Sequence, residues 1–316
     1  MSPRVTIRRE SWPLEKPFAI SRGVKTTADV IVCEVEEDGF NGRGECVPYA
    51  RYGETLDSVD AQLRAAGSVD ELPPGAARNA LDCALWDLRA KASGTPVWQA
   101  AGLTLPVPAI TAYTISLGTP KVMCAAAIDA AARPLLKVKL GSDDPVACIA
   151  AVRTGSPKAR LIADANEGWS FDQLVAIAHD LAALGVELIE QPLPADADAA
   201  LDGWESPVLL CADESFHVAH DIPGLARRYG AVNIKLDKAG GFTEALACVG
   251  TAQAAGVKIM VGCMVATSRA MAPAALLAGA ADYVDLDGPL LLKADRPGGI
   301  RFDGSLMYPP ERSLWG

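Results

Sequence analysis

Histidine is scarce in this chain, with three residues in 316. His179 and His220 lie away from the strand ends argued below, and His217 merely follows one of them. That distribution disfavours a Ser-His-Asp triad and a His-ligated zinc, so any chemistry must rest on lysine and carboxylates. Cysteine pairs of the CxxC kind are also missing. The eight cysteines are scattered among apolar neighbours, as free core thiols of a reducing compartment are. No basic run offsets the net charge of −10, which argues against nucleic acid and anionic membranes as partners. No apolar stretch reaches the roughly 18 residues of a membrane span. The polar start MSPRVTIRRE lacks the apolar core of a secretory signal. A cytoplasmic protein with a small-molecule partner is the expectation.

What is present is a large apolar fraction, half of all residues, in a chain long enough for one large α/β domain and a smaller one. Residues 1–104 read as an α+β domain. TADVIVCEVEEDGF and NGRGECVPY predict two antiparallel strands around a polar turn at Asp38–Asn41. Helical spacing follows over Thr55–Ala66 and Gly75–Lys91, the latter stopping at Ser93-Gly94. From 105 to 292 the pattern alternates. VPAITAYTISL, LLKVKL, ARLIADAN, VELIEQP, VLLCADE, VNIKL, VKIMVGC and YVDLDGP make eight short apolar strands. Ala-rich helical stretches such as Asp144–Arg153, Phe171–Leu184 and Phe242–Ala255 separate them. Eight such units predict a (β/α)8-type barrel, of class α/β, and residues 293–316 are expected to return to the first domain.

Charged residues close five consecutive predicted strands: Lys139, Asp164, Glu190, Asp213 and Lys235, spaced about 22–26 residues apart. Strand ends of a parallel barrel point into one pocket. Three carboxylates without His or Cys suit Mg2+, a hard cation that keeps positions for substrate oxygens. Lys139 and Lys235, on the second and sixth strands, would stand on opposite sides of that site. A lysine works as a base when its pKa falls from about 10.4 toward 7–8. Lys137 shares a face with Lys139, so its charge would disfavour protonation there. Mg2+ on a substrate carboxylate would stabilise the enediolate left by loss of an α-proton. One lysine would remove the proton and the other return one to the opposite face, a 1,1-proton transfer with inversion.

KVKL, DANEGW, EQPLP, ADES and KLDKAGG, in this order, resemble the enolase superfamily, in its muconate-lactonizing-enzyme-like subgroup with a lysine on each side of the metal. The His–Asp dyad of the mandelate-racemase-like branch has no counterpart here. Asp285-Leu286-Asp287 resembles the Asp-x-Asp of dipeptide epimerases, which implies a site for a substrate's N-terminal ammonium. Two carboxylates on one strand face also call for a cation between them, and no protein cation is evident nearby in the sequence. ISRG, GECVPYARYGE, GAARNALDCALWDLRA, VGCMVATSRA and DLDGPLLL resemble bacterial L-Ala-D/L-Glu epimerases. The resemblance covers nearly the whole chain and implies a capping domain over the barrel mouth and a dipeptide substrate from murein peptide turnover. It places Arg22 against a glutamate side chain, with Lys25 as a competitor, and Thr114, Lys137 and Met264 against the substrate. Tyr49 and Tyr52 fall in a second capping loop. A homo-oligomer is compatible with all of this. The rival readings are an o-succinylbenzoate synthase or N-acylamino-acid racemase on the same scaffold, a dipeptide epimerase of other specificity, and a non-catalytic binding protein.

Overall fold

The computed structural model describes residues 3–21 and 23–316. Three antiparallel strands open the chain, β1 (Arg4–Ile20), β2 (Gly23–Glu37) and β3 (Phe40–Cys46), in the order β1-β2-β3. The β2–β3 hairpin turns at Asp38-Gly39, both left-handed with φ of 50° and 83°, the backbone of a tight hairpin turn. β1 is an addition to the two strands expected. It carries no continuous apolar face, and of its 17 residues Leu14 alone is buried. Its prolines sit on an edge strand, Pro13 at the start of a register shift and Pro17 within it, positions that tolerate proline.

Helix α1 (Leu56–Ala65) starts in a reciprocal cap, Thr55 and Ser58 each donating a backbone N–H to the other's hydroxyl. Helix α2 (Ala76–Ser93) ends at Gly94, left-handed at φ 74°. A short turn, α3 (Val97–Ala100), leads to the barrel.

The barrel unit begins with β4 (Ala109–Ile110), β5 (Tyr113–Ile115), α4 (Pro120–Asp129), β6 (Leu135–Lys139), α5 (Pro145–Gly155), β7 (Arg160–Asp164) and α6 (Phe171–Ala183). It continues with β8 (Val186–Glu190), β9 (Leu209–Ala212), α7 (Ile222–Leu225), β10 (Ala231–Ile234), α8 (Leu236–Ala239) and α9 (Phe242–Ala255). β11 (Lys258–Gly262), α10 (Ser268–Ala275), β12 (Tyr283–Asp285) and α11 (Gly288–Leu291) complete it. Strands β5 to β12 form one parallel sheet in sequence order. It closes nearly into a barrel, the Ala112 amide donating to the Val284 carbonyl at 2.8 Å. Two further strands, β13 (Phe302–Asp303) and β14 (Leu306–Met307), form a hairpin whose β14 pairs with β4. The chain then reaches α2, where the Trp315 indole donates to the Cys83 carbonyl at 2.9 Å and the Gly316 amide to Asp87 at 2.7 Å. All eight cysteines are free. Among the described residues no helix is long and apolar enough to cross a membrane.

The barrel interior is layered by the two-residue period of its strands. One buried layer takes Ala112, Leu135, Ile162, Leu188, Cys211, Ala231, Met260 and Tyr283, one residue from each strand or its lead-in. Two residues on, toward the C-terminal ends, the same face presents Thr114, Lys137, Asp164, Glu190, Asp213, Asn233, Gly262 and Asp285. An apolar floor thus carries a polar layer, and a further step of two brings Lys139, Lys235 and Asp287 to the mouth.

Cap and barrel share a buried ion pair. Arg296 Nη2 lies 2.7 Å from Glu45 Oε2, and the Thr267 amide and hydroxyl donate to Glu45 Oε1 at 3.0 and 2.8 Å. Glu45→Ala strands Arg296 and Thr267 and is expected to cost about 3–5 kcal/mol of stability, read as a lowered urea-unfolding midpoint. A loss below about 1 kcal/mol would mean that Glu10, the second partner of Arg296, replaces Glu45 fully.

Candidate active site

A cavity of about 490 Å3 lies between the cap and the barrel mouth, within the usual range for a small-molecule site. Phe18, Ile20, Val24, Lys25 and Tyr49 to Tyr52 form its cap side. Lys139, Asn166, Asp213, Glu214, Lys235 and Cys263 to Val265 form its barrel side. Of the residues singled out from sequence, Lys25, Tyr49, Tyr52, Lys139, Asp213, Lys235 and Met264 line this cavity. Thr114, Lys137, Asp164, Glu190, Asp285 and Asp287 are buried in the barrel and are not part of its lining. Arg22 lies outside the described residues.

The polar layer is a chain of alternating charges. Lys139 Nζ donates to Asp164 Oδ2 at 2.6 Å. Lys137 Nζ lies 3.1 Å from the same oxygen, 2.7 Å from Glu190 Oε2 and 2.8 Å from Asp285 Oδ2. Lys235 Nζ is 2.6 Å from Asp213 Oδ2 and 3.8 Å from Glu190 Oε1. Lys238, at 2 % exposure, holds Asp213 from the other side, at 2.5 Å from Oδ1 and also at its carbonyl oxygen. Asn233 donates to Glu190 Oε1 at 2.8 Å. Its amide fills the space beside Gly262, where a Cβ would stand 2.4 Å from Asn233 Oδ1, so β11 admits only glycine there.

Local backbone geometry aims these groups. Asn166, Glu167 and Gln191 follow the Asp164 and Glu190 strand ends with φ of 45°, 66° and 34°. Such conformations are costly for residues with a Cβ and gather where surroundings impose them. Gln191 shows how: its Oε1 accepts the amides of Asp213 and Ser215 at 2.9 and 3.1 Å, tying the end of β8 to that of β9. A bidentate Arg51–Glu167 pair at 2.7 Å fastens the second capping loop to the loop after β7.

Burial and charge pull the carboxyl groups apart. Asp164 is buried, which acts to raise its pKa, yet Lys139 and Lys137 bring it down to about 2. Asp213 is likewise buried but is held well below its ordinary value by Lys235 and Lys238. Glu190 goes the other way, up to about 7, because burial and the Asp164 charge outweigh Lys137. Asp287 is also pushed up to about 7, by burial and by Asp285. Burial works against the Lys235 ammonium, but Asp213 and Glu190 prevail and hold it well above the ordinary lysine value. Lys137 behaves alike, with Asp285, Glu190 and Asp164 overcoming its burial.

One expectation changes. The Asp285–Asp287 pair does have a protein cation, since Lys137 reaches Asp285 from 148 positions away in the chain. Lys137 stands among three carboxylates, Asp164, Glu190 and Asp285. Asp287 keeps a smaller set of partners, its Oδ2 accepting the Thr114 amide at 2.7 Å. Among the described residues no three His, Cys, Asp or Glu side chains are drawn together as a ready metal cage. The lysine ammonium groups stand between the carboxylates instead.

Lys25 stands in the cavity wall, its Nζ 5.0 Å from the Tyr49 ring centroid. Tyr52 packs edge-on against His217 at 4.8 Å, and burial followed by Lys238 lowers the His217 pKa. Lys238, Asn233 and Gln191 were not evident from sequence. A usable signal existed for the first two: Asn233 shares the strand face of Lys235, and Lys238 follows it by one helical turn.

Comparison with known proteins agrees with this architecture over both parts of the chain. Residues 122–312 match the family model described as enolase C-terminal domain-like. Residues 2–71 and 68–102 match the N-terminal domain of the mandelate racemase/muconate lactonizing enzyme family. The chain belongs to that family, within the enolase superfamily. It is an enzyme of the isomerase class. It is similar to the L-Ala-D/L-Glu epimerase of Escherichia coli (strain K12), 46% identical, with 94% of this chain and 97% of that one covered. It is almost as similar to an N-acetyl-D-glutamate racemase of Pseudoalteromonas sp, 45% identical over 91% of this chain and 95% of that one. Among solved structures, an enolase family member of Agrobacterium tumefaciens with homology to dipeptide epimerases is 49% identical, with a TM-score of 0.96 and coverage of 99% and 100%. That structure holds sodium and L-Ala-L-Glu. A dipeptide epimerase of Enterococcus faecalis V583, complexed with Mg and L-Leu-L-Tyr, is 28% identical, with a TM-score of 0.91 and 98% of each chain covered.

Proposed function

We propose that this protein is a cytoplasmic, Mg2+-dependent dipeptide epimerase that interconverts L-Ala-D-Glu and L-Ala-L-Glu in murein peptide metabolism. One observation carries the reading. Lys139 and Lys235 end strands four apart in an eight-stranded sheet, so they line one cavity from opposite sides. A substrate α-carbon between them has an ammonium or amine on each face. Each lysine would take the proton of one epimer and, when protonated, return one to the other. In the ion-paired state described above Lys235 is held protonated, the form that donates.

The donor chemistry of Asp164, Glu190 and Asp213 fits Mg2+: three oxygen donors on adjacent strand ends, with Glu190 raised by burial and by the neighbouring Asp164 charge, which a divalent cation would offset. Those three residues would hold the ion, which when bound supplies Lewis-acid stabilisation of the charge that develops on the substrate carboxylate. Asp287 would meet the dipeptide ammonium, because it lacks the lysine that Asp285 has. Lys25 and the neighbouring capping loop, where Arg22 falls in sequence, would face the acidic side chain, and Thr114 and Met264 would flank the dipeptide.

Asp287→Asn tests the ammonium site. The variant keeps an acceptor for the Thr114 amide but loses the charge. KM for L-Ala-L-Glu is expected to rise by the equivalent of about 3–5 kcal/mol, with Mg2+ binding unchanged. An unchanged KM would remove Asp287 from the substrate site.

A second reading, racemisation of an N-acylated glutamate, is favoured by the similarity to the N-acetyl-D-glutamate racemase. Inversion of free L-Ala-L-Glu and of N-acetyl-L-glutamate, compared by chiral chromatography, separates the two. Strong preference for the free dipeptide supports the epimerase. Preference for the acetylated amino acid overturns it.

A further inference from the structure

The turn that carries Lys235 is bolted to the cap. The Lys235 carbonyl accepts the amides of Lys238 and Ala239 and so winds the chain from β10 into α8. Asp237 lies in that turn, 8% exposed, and its Oδ1 accepts the Val47 amide at 3.0 Å and the Asn79 side-chain amide at 2.8 Å. Both donors belong to the cap. Asn79 is on α2, and Val47 begins the segment that runs on to the cavity wall at Tyr49 and Tyr52. The turn closes at Gly241, φ 118°, where a Cβ would stand 2.5 Å from Asp82 Oδ2. Asp82, also on α2, accepts the Thr243 amide at 2.9 Å and its hydroxyl at 2.6 Å. One carboxylate thus reaches from barrel to cap and one from cap to barrel, on either side of the same turn.

Among the described residues no carboxylate comparable to Asp237 or Asp82 ties the strand of the opposite lysine to the cap. Among the described residues β6 makes no polar bond to the cap. Its backbone is held by β5 and β7, and the Lys139 ammonium faces the cap at the Phe18 ring, 5.9 Å from its centroid.

We propose that Asp237 is a positioning residue for Lys235 alone, fixing one of the two proton-transfer groups to the cap while the barrel fixes the other. The inference rests on the epimerase reading. Asp237 touches neither cavity nor substrate-facing atom and acts through the main chain of the turn. A displacement of the turn therefore moves the Lys235 ammonium and leaves Lys139 in place. Simple adhesion between cap and barrel, the alternative role, would affect both faces of the substrate alike.

The test measures α-proton exchange in D2O separately for L-Ala-L-Glu and L-Ala-D-Glu, by NMR, on the full-length protein with Mg2+. Lys139→Ala and Lys235→Ala first assign each epimer to its lysine. Asp237→Ala is then expected to slow exchange of the Lys235-dependent epimer by about tenfold or more while the other stays within about threefold, since misplacement of a reacting group is costly over small distances. Asn79→Ala, which removes one of the two donors, is expected to shift the ratio in the same direction by less. Asp237→Asn, which keeps an acceptor oxygen, is expected to restore most of the ratio. Should Asp237→Ala not fold, the ratio in Asn79→Ala decides. Proportionate losses on both epimers, or no loss on either, would overturn the assignment of Asp237 alone. Wild-type protein that exchanged neither dipeptide would overturn the epimerase reading as well.

Discussion

Lys139→Ala and Lys235→Ala are each expected to abolish interconversion of L-Ala-L-Glu and L-Ala-D-Glu, with kcat falling by about 10²–10⁴-fold or more. Each variant should nevertheless exchange the α-proton of one epimer with solvent, because the surviving lysine still faces that side. Both should remain folded, for a reason visible in the polar layer. Asp164 keeps Lys137 at 3.1 Å when Lys139 is removed, and Asp213 keeps Lys238 at 2.5 Å when Lys235 is removed. No carboxylate is left buried without a partner, which is the costly outcome. A variant that interconverted the epimers at the wild-type rate would show that a single group does both transfers.

Loss of the divalent ion is expected to have a similarly large effect. Excess chelator should bring turnover to the limit of detection, and added Mg2+ should restore it. Asp164→Asn, Glu190→Gln and Asp213→Asn should each weaken Mg2+ binding by calorimetry and remove activity. The carboxylates are at present engaged by lysines, so the ion must compete with protein ammonium groups for the same oxygens. Binding is therefore expected to release protons or free a lysine, and the calorimetric heat should change between buffers of different ionisation enthalpy. Full activity in excess chelator would contradict the assignment of these three residues.

Much of the barrel was legible because each strand is a short apolar run and most are closed by a charge, a pattern that local sequence carries by itself. The helices Phe171–Ala183 and Phe242–Ala255 announce themselves by periodicity in the same way. β1 did not, since an exposed edge strand has no apolar face to give it away. β4, β13 and β14 are two residues each, too short for any period to register. Strand-end lysines and carboxylates could be picked out as a set, but not their pairing. Lys137 with Asp285, Lys238 with Asp213 and Asp237 with Asn79 join residues far apart in sequence or off the regular strand positions. Those pairings decide which carboxylates lack a protein cation, and the proposed ammonium site at Asp287 rests on them. Spacing alone left Asp285 and Asp287 equivalent; the Lys137 contact distinguishes them.

The most direct test of the account is the origin of the hydrogen in the product. L-Ala-L-Glu is incubated with the Mg2+-loaded protein in D2O, and the first L-Ala-D-Glu formed is isolated and analysed by mass spectrometry and NMR. Two lysines on opposite faces predict deuterium at the glutamate α-carbon of essentially every product molecule, from the first turnovers, while unreacted substrate is still largely protiated. Product that retained the substrate's own α-proton, or no L-Ala-D-Glu at all, would contradict it.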